Sequence, residues 1–239
     1  MPPEHVPPVG PWQHATVVAV RPETRRAKTY RLALPQPVPH LAGQHFVVRL
    51  TAPDGYRAQR SYSVATPPEE SGEIELTVER LADGEVSGFL HDEVVVGDTL
   101  EVRGPIGGWF VWPGTTPAVF IGGGSGVVPL MAMLRLARRT GGPSLAHLLV
   151  SVRTTDDLLY AAEMTGPDVT VIYTRAAPPS AAGRAVGRIT IDDLVPVLGA
   201  AATVYVCGST PFAEAASALV VAAGIPAEAV RIERFGPSG

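Results

Sequence analysis

The spacing of apolar residues changes its period once along these 239 residues, near Trp112-Pro113-Gly114-Thr115-Thr116-Pro117. Before that point, short extended runs at 15–20, 29–34, 44–50, 56–64, 73–79 and 99–102 are separated by turn signals. These include Pro35-Gln36-Pro37, Pro53-Asp54-Gly55, Ala82-Asp83-Gly84 and Gly97-Asp98. Strand side chains repeat every two residues, so six such runs predict an antiparallel six-stranded β-barrel, with one short helix at 86–91. Beyond it, apolar runs at 118–121, 145–152, 169–173, 203–207 and 230–233 alternate with segments of helical period at 127–138, 156–164, 191–198 and 212–223. That alternation predicts a doubly wound parallel α/β sheet of the Rossmann-like kind. The expected division is a flexible Pro-rich arm over 1–13, a β domain over 14–113 and an α/β domain over 117–239.

Composition narrows the function. With 46% hydrophobic and 18% charged residues the chain has the make-up of a folded protein. Cys207 is the only cysteine, which excludes an intrachain disulfide and any four-cysteine zinc or iron–sulfur site. The histidines are scattered without H-E-x-x-H, and no metal is expected. A net charge of −4 argues against a nucleic-acid partner. Lys28 is the only lysine and lies in Arg25-Arg26-Ala27-Lys28-Thr29, so there is no P-loop. The uncharged stretches 111–134 and 194–213 are broken by Gly and Pro, so no membrane span is expected. Residues 1–14 lack the basic and apolar regions of a secretion signal, and the expected location is cytoplasmic.

The cluster Gly122-Gly123-Gly124-Ser125-Gly126 follows the first parallel strand and opens a helix. Such a cluster is either an ordinary strand–helix turn or a cradle whose backbone N–H groups and helix dipole take an anion. No acid ends the second strand to hold a ribose 2′-hydroxyl. Arg153 stands there instead, and reads either as a cation suited to a 2′-phosphate or as a solvated surface arginine. The pair Asp156-Asp157 reads as the cap or start of a helix.

Four motifs in this order resemble the ferredoxin–NADP reductase superfamily. They are Arg60-Ser61-Tyr62-Ser63 (R-x-Y-S), Gly84-Glu85-Val86-Ser87 (G-x-x-S), Gly122 through Pro129 (G-G-G-x-G-x-x-P) and Val204-Tyr205-Val206-Cys207-Gly208-Ser209 (v-Y-x-C-G). Gly104-Pro105-Ile106-Gly107 resembles the family's G-P-x-G. The resemblance implies that Arg60 pairs with the flavin pyrophosphate, that Tyr62 packs beside the isoalloxazine and that Ser63 reaches toward flavin N5. It also implies that Val78, Glu79 and Arg80 line the flavin, and that Glu85, Val86 and Ser87 meet the pyrophosphate at a helix start. Ser87 additionally reads as an N-cap.

In the second domain the resemblance implies that Gly122, Gly123, Gly124, Ser125 and Gly126 cradle the nicotinamide dinucleotide. It further implies that Arg153, Arg175 and Arg188 form a clamp for the 2′-phosphate, which would select NADPH; Arg184, in the irregular loop 176–185, is a further candidate. Cys207 reads either as a small buried core residue or, as the resemblance implies, as adjoining the nicotinamide with Gly208 and Ser209 without acting as a nucleophile. By the same resemblance Glu233 is expected to assist proton movement and Phe235 to cover the flavin. The implied activity is hydride transfer from NADPH to FAD, then delivery of electrons to a separate protein acceptor, a ferredoxin-like carrier or an oxygenase component. FAD is expected over FMN because the helix after Gly84 serves a second phosphate. Free-flavin or ferric-chelate reduction, or service as a flavin- and nucleotide-binding subunit of a larger complex, are the alternatives. Arg25-Arg26 and Arg138-Arg139 read either as docking charges for an acidic partner or as solvated surface.

Overall fold

A computed structural model describes residues 8–69, 72–141, 145–181, 183–199 and 201–236. Residues 1–7 of the expected arm lie outside them. The chain divides into two compact units, with the change at Pro113–Gly114.

The first unit is a six-stranded sheet of β1 (Gln13–Thr24), β2 (Ala27–Ala33), β3 (His45–Thr51), β4 (Arg57–Ser63), β5 (Glu73–Glu79) and β6 (Thr99–Ile106). Their order is β4-β3-β6-β1-β2-β5, antiparallel throughout. Val64, just past β4, bridges Leu76 on β5, and the Ala65 N–H donates to the Glu75 carbonyl at 2.8 Å. The two edges of the sheet therefore meet, which removes the exposed ladders of an open sheet. Alternate residues such as Ala15, Val17, Leu32, Phe46, Val48, Leu76 and Val102 fill the interior.

Helix α1 (Glu85–Asp92) adds Val86 and Leu90 to that core. Its C-terminal carbonyls are gripped from β2, where Lys28 Nζ donates to His91 O at 2.5 Å and the Tyr30 hydroxyl donates to Leu90 O. The single lysine thus sits where the helix dipole favours a cation. The end of the expected arm is tied down too: the Gly10 N–H donates to Gly104 O at 3.2 Å, the Arg49 guanidinium lies 3.8 Å over the Trp12 ring, and Gln13 already belongs to β1.

The second unit is a parallel sheet of β7 (Ala118–Gly123), β8 (Ala146–Val152), β9 (Val169–Tyr173), β10 (Thr203–Ser209) and β11 (Val230–Phe235), in the order β11-β10-β7-β8-β9. Its helices are α2 (Val127–Thr140), α3 (Ile191–Leu198) and α4 (Thr210–Ala222). Helices α3 and α4 pack on the face that carries Val119, Ile121, Leu149, Val204 and Val206. The β7-α2-β8 and β10-α4-β11 connections run in opposite senses, so right-handed crossovers put their helices on opposite faces. The order reverses between β7 and β10, the switch point where sheets of this kind bind ligands. Among the described residues no helix is long and apolar enough to cross a membrane.

The helix expected at 156–164 is not formed. Two 3-10 turns, Thr155–Asp157 and Ala161–Glu163, stand in its place. The Asp157 carboxylate accepts from Thr154 N at 3.1 Å and from Thr154 Oγ1 at 2.7 Å, a capping box on a single turn. Leu158, Leu159 and Tyr160 are then buried in succession, which one stripe of a surface helix cannot achieve. Tyr160 takes φ 53°, a left-handed conformation that stops a helix. Of the arginine pair in α2, Arg138 is engaged internally: it grips Asp168 at 2.7 and 3.1 Å and donates to the carbonyls of Glu163 and Thr165.

Candidate functional site

Strand β4 carries the first group of candidate side chains. Its register with β3 sets Arg60 opposite Val48, Tyr62 opposite Phe46 and Ser63 opposite His45. Tyr62 packs on the barrel core, yet its hydroxyl is buried with no hydrogen-bond partner among the described residues. Burial pushes this phenol above its ordinary pKa, partly offset by the charge of Arg60. Arg60 itself is exposed, donates only to the Gln59 carbonyl at 2.8 Å and forms no ion pair among the described residues. Ser61 is exposed and Ser63 is buried. His45, across from Ser63, was not singled out from the sequence. Burial lowers its pKa, which favours the neutral ring. Only the register reveals this neighbour.

The start of α1 supplies backbone donors. Its N-cap, Gly84, offers no side-chain acceptor. Ser87 is not the N-cap expected of it, because the helix begins at Glu85; its hydroxyl donates to Gly84 O at 3.3 Å and accepts from Leu81 N at 3.2 Å. Val86 is buried, and Glu85 accepts from the Tyr56 hydroxyl at 3.2 Å. On β5 the Val78 side chain belongs to the barrel core and Glu79 is half-buried. Arg80 is committed to Asp92 at the other end of α1, with contacts of 2.9 and 3.1 Å. An unpaired guanidinium, an uncapped helix start and a buried orphan hydroxyl form a donor set. It fits an aromatic ligand that carries phosphate.

In the second unit, register draws three residues into one row: Cys207 on β10 pairs with Gly122 on β7 and with Glu233 on β11. Cys207 is fully buried. Burial, then the charge of Glu233, holds its thiol well above the ordinary value, so it is no thiolate at neutral pH. The Glu233 carboxyl is pushed up to about 7 by burial, and its Oε2 is buried without a partner among the described residues. Gly208 is buried, Ser209 is exposed, and Phe235 lies beside Ser209 in the ladder.

The glycines after β7 are there for two different reasons. Gly124 has φ 55° with open space where a side chain would stand, so its backbone is presented to solvent. Gly126 is pressed on β10, where an added Cβ would lie 2.3 Å from Cys207 O and 2.5 Å from Gly208 Cα. The turn Gly124–Gly126 then enters α2, whose N-cap also lacks a side-chain acceptor. Gly126→Ala is therefore expected to destabilise the protein by roughly 1–3 kcal/mol or more, because backbone and not a flexible side chain must move. Denaturant unfolding measures this, with Gly124→Ala as a comparison in which only the φ is strained.

Arg153, Arg175 and Arg188 are exposed, and none has an ion pair among the described residues. Arg175 N donates to Arg153 O at 3.0 Å, which joins the chain beyond β8 to that beyond β9. Gly187 N donates to Tyr173 O at 3.0 Å and brings the segment before Arg188 to the end of β9. Arg184 is not free like these three: it pairs with Asp193 at 2.5 and 2.7 Å.

Comparisons with known proteins agree with this layout. Residues 14–111 match the family described as Oxidoreductase FAD-binding domain, and residues 120–218 match Oxidoreductase NAD-binding domain. The chain is 31% identical to the reductase component of propane 2-monooxygenase from Rhodococcus jostii, over 92% of this chain and 62% of that protein. It is 30% identical to the ferredoxin–NAD(P)(+) reductase component of the naphthalene 1,2-dioxygenase/salicylate 5-hydroxylase systems of a Ralstonia species, over 94% of this chain and 69% of that protein. The chain thus spans about two thirds of the length of these relatives. Among solved structures, the Amycolatopsis cytochrome P450 reductase GcoB superposes with TM-score 0.80 at 26% identity, covering 97% of this chain and 72% of that one. The FAD/NAD-binding domain of Vibrio cholerae nitric oxide dioxygenase gives TM-score 0.82 at 24% identity, covering 94% and 99%, and shares the fold. Two family matches fall on the two units that carry the Arg60–Ser63 motif and the glycine turn, and a relative is matched over most of its length; the chain belongs to the ferredoxin–NADP reductase superfamily.

Proposed function

We propose that this chain is a flavoprotein oxidoreductase that takes hydride from NADPH on bound FAD. Electrons then go to a separate protein, a ferredoxin-like carrier or an oxygenase component. The observation that carries this reading is the buried, unpartnered hydroxyl of Tyr62 on the same strand as the unpaired guanidinium of Arg60. A bound flavin supplies the chemistry of accepting a hydride and releasing electrons one at a time. The protein supplies the rest. Arg60 takes the pyrophosphate through its planar fork, and the N–H groups at Glu85, Val86 and Ser87 add the dipole of α1. Tyr62 donates to the cofactor, Ser61 and Ser63 flank it, and Val78 and Glu79 line it through β5. Arg80, held by Asp92, keeps α1 in place.

In the second unit the amides of Gly122, Gly123, Gly124, Ser125 and Gly126 hold the dinucleotide pyrophosphate. Arg153, Arg175 and Arg188 take the 2′-phosphate. Cys207, Gly208 and Ser209 flank the nicotinamide, and Glu233 keeps a proton in that row below about pH 7. The relatives' names supply the acceptor class, since both are reductase components of oxygenase systems.

The test is the visible spectrum of the purified protein followed by anaerobic titration with NADPH. Flavin bands that bleach on titration, with kcat/KM higher for NADPH than for NADH, support the reading. A protein that stays colourless after incubation with FAD overturns it.

A further inference from the structure

The segment that presents Arg188 has little regular structure, and one side chain sets its course. Arg184 Nε and Nη2 grip the two carboxylate oxygens of Asp193 at 2.5 and 2.7 Å. Its Nη1 donates to Ala185 O at 2.8 Å and to Gly187 O at 3.4 Å, and Nη2 also donates to Arg188 O at 2.8 Å. Asp193 lies in the first turn of α3, with its side chain only 11% exposed. Its Oδ2 accepts from Thr190 N at 2.7 Å and Thr190 Oγ1 at 2.8 Å. The Arg184 guanidinium draws this carboxyl down to about 2, so it is ionised at any working pH. From the opposite side, the Gly187 N–H is fixed to the end of β9. Arg188 is left exposed, with no ion pair among the described residues.

We infer that Arg184 is a positioning residue for nucleotide choice: it gathers the carbonyls of Ala185, Gly187 and Arg188 onto one guanidinium and so leaves the Arg188 side chain to face a 2′-phosphate. This rests on the NADPH reading above. Two electrostatic consequences follow from the geometry. The partial negative charge of three carbonyl oxygens is satisfied inside the loop and does not oppose an incoming phosphate. The positive charge of Arg184 is neutralised by Asp193, so it acts through the course of the backbone and not through its own field. Lysine cannot substitute, because an ammonium lacks the planar fork that spans a carboxylate and several carbonyls together.

Calorimetric titration of the full chain with 2′,5′-ADP and with 5′-ADP tests this, alongside the melting temperature. Arg184→Ala and Arg184→Lys are each expected to weaken 2′,5′-ADP about tenfold, equivalent to roughly 1.4 kcal/mol, while 5′-ADP stays within about twofold. Asp193→Asn keeps an oxygen for Thr190 but loses the charge pair, and is expected to weaken 2′,5′-ADP alone, by less. If these variants lower the melting temperature and leave the affinity ratio as in wild type, Arg184 is only a structural strut and the inference is overturned. Arg188→Gln separates that failure from failure of the underlying reading. A collapsed ratio in Arg188→Gln beside an unchanged one in Arg184→Lys sinks only the positioning role. An unchanged ratio in Arg188→Gln sinks the 2′-phosphate site, and the positioning role with it. Should Arg184→Ala fail to fold, Arg184→Lys and Asp193→Asn give the same comparison.

Discussion

A variant with Arg60→Glu is expected to fold as the wild type does and to purify without flavin. Arg60 is exposed, and the one hydrogen bond of its side chain among the described residues is to the adjacent Gln59 carbonyl, so stability is expected to change by no more than about 0.5 kcal/mol. Binding is different. Losing a charge-assisted hydrogen bond costs roughly 1.5–3 kcal/mol, and a carboxylate facing the same phosphate adds repulsion. Together these correspond to a rise in the FAD dissociation constant on the order of 100- to 1000-fold, which fluorescence titration of the flavin-free protein reads directly. Arg60→Lys keeps the charge but not the fork, and a smaller loss of about tenfold is expected. Wild-type affinity in Arg60→Glu would mean that β4 does not carry the anion site. Tyr62 would then keep its orphan hydroxyl without explanation.

What the sequence reveals of this protein is mostly what a single strand or helix states about itself. The runs at 29–34 and 44–50 are legible because one face of each must be apolar, and Leu32, Phe46 and Val48 do enter the core. Pairing is not stated locally. Cys207 and Glu233 are far apart in the chain and become neighbours only through the parallel register of β10 and β11; His45 and Ser63 meet the same way across β3 and β4. Strand β10 also runs past the expected end at Cys207, because Gly208 and Ser209 find partners in Arg234 and Phe235. A glycine reads as a stop in sequence, and a neighbouring strand overrides it.

Side-chain commitments were equally hidden. Apolar spacing over 156–164 resembles a helix, but the cap formed by Asp157 and the left-handed Tyr160 divide it into two turns. Nothing in the irregular loop before Gly187 shows that Arg184 belongs to Asp193 and not to a ligand. The motifs were legible where they are contiguous. The partners that make them work come from elsewhere in the chain.

Glu233→Gln is expected to change how stability depends on pH. The ordinary value for this carboxyl is 4.5, and burial raises it to about 7 in the folded protein. Between those values the unfolded chain has released its proton while the folded one retains it, so the unfolded state binds fewer protons. Stability from this group is therefore complete below about 4.5 and is lost as pH rises through about 7, the reverse of a salt-bridged acid. A gap of roughly 2.5 units corresponds to on the order of 3 kcal/mol. His45 and His147 act oppositely. Burial lowers their pKa values, so their share is present above about 6.5 and is lost as pH falls. Both histidines remain in the variant, and the difference between wild type and Glu233→Gln isolates the carboxyl. Urea unfolding of flavin-free protein at about pH 5 and pH 8 should show the variant gaining on the wild type by on the order of 3 kcal/mol over that interval. A flat difference would place Glu233 at an ordinary pKa. Glu233 would then carry no proton at neutral pH, and the role assigned to it would go with that proton.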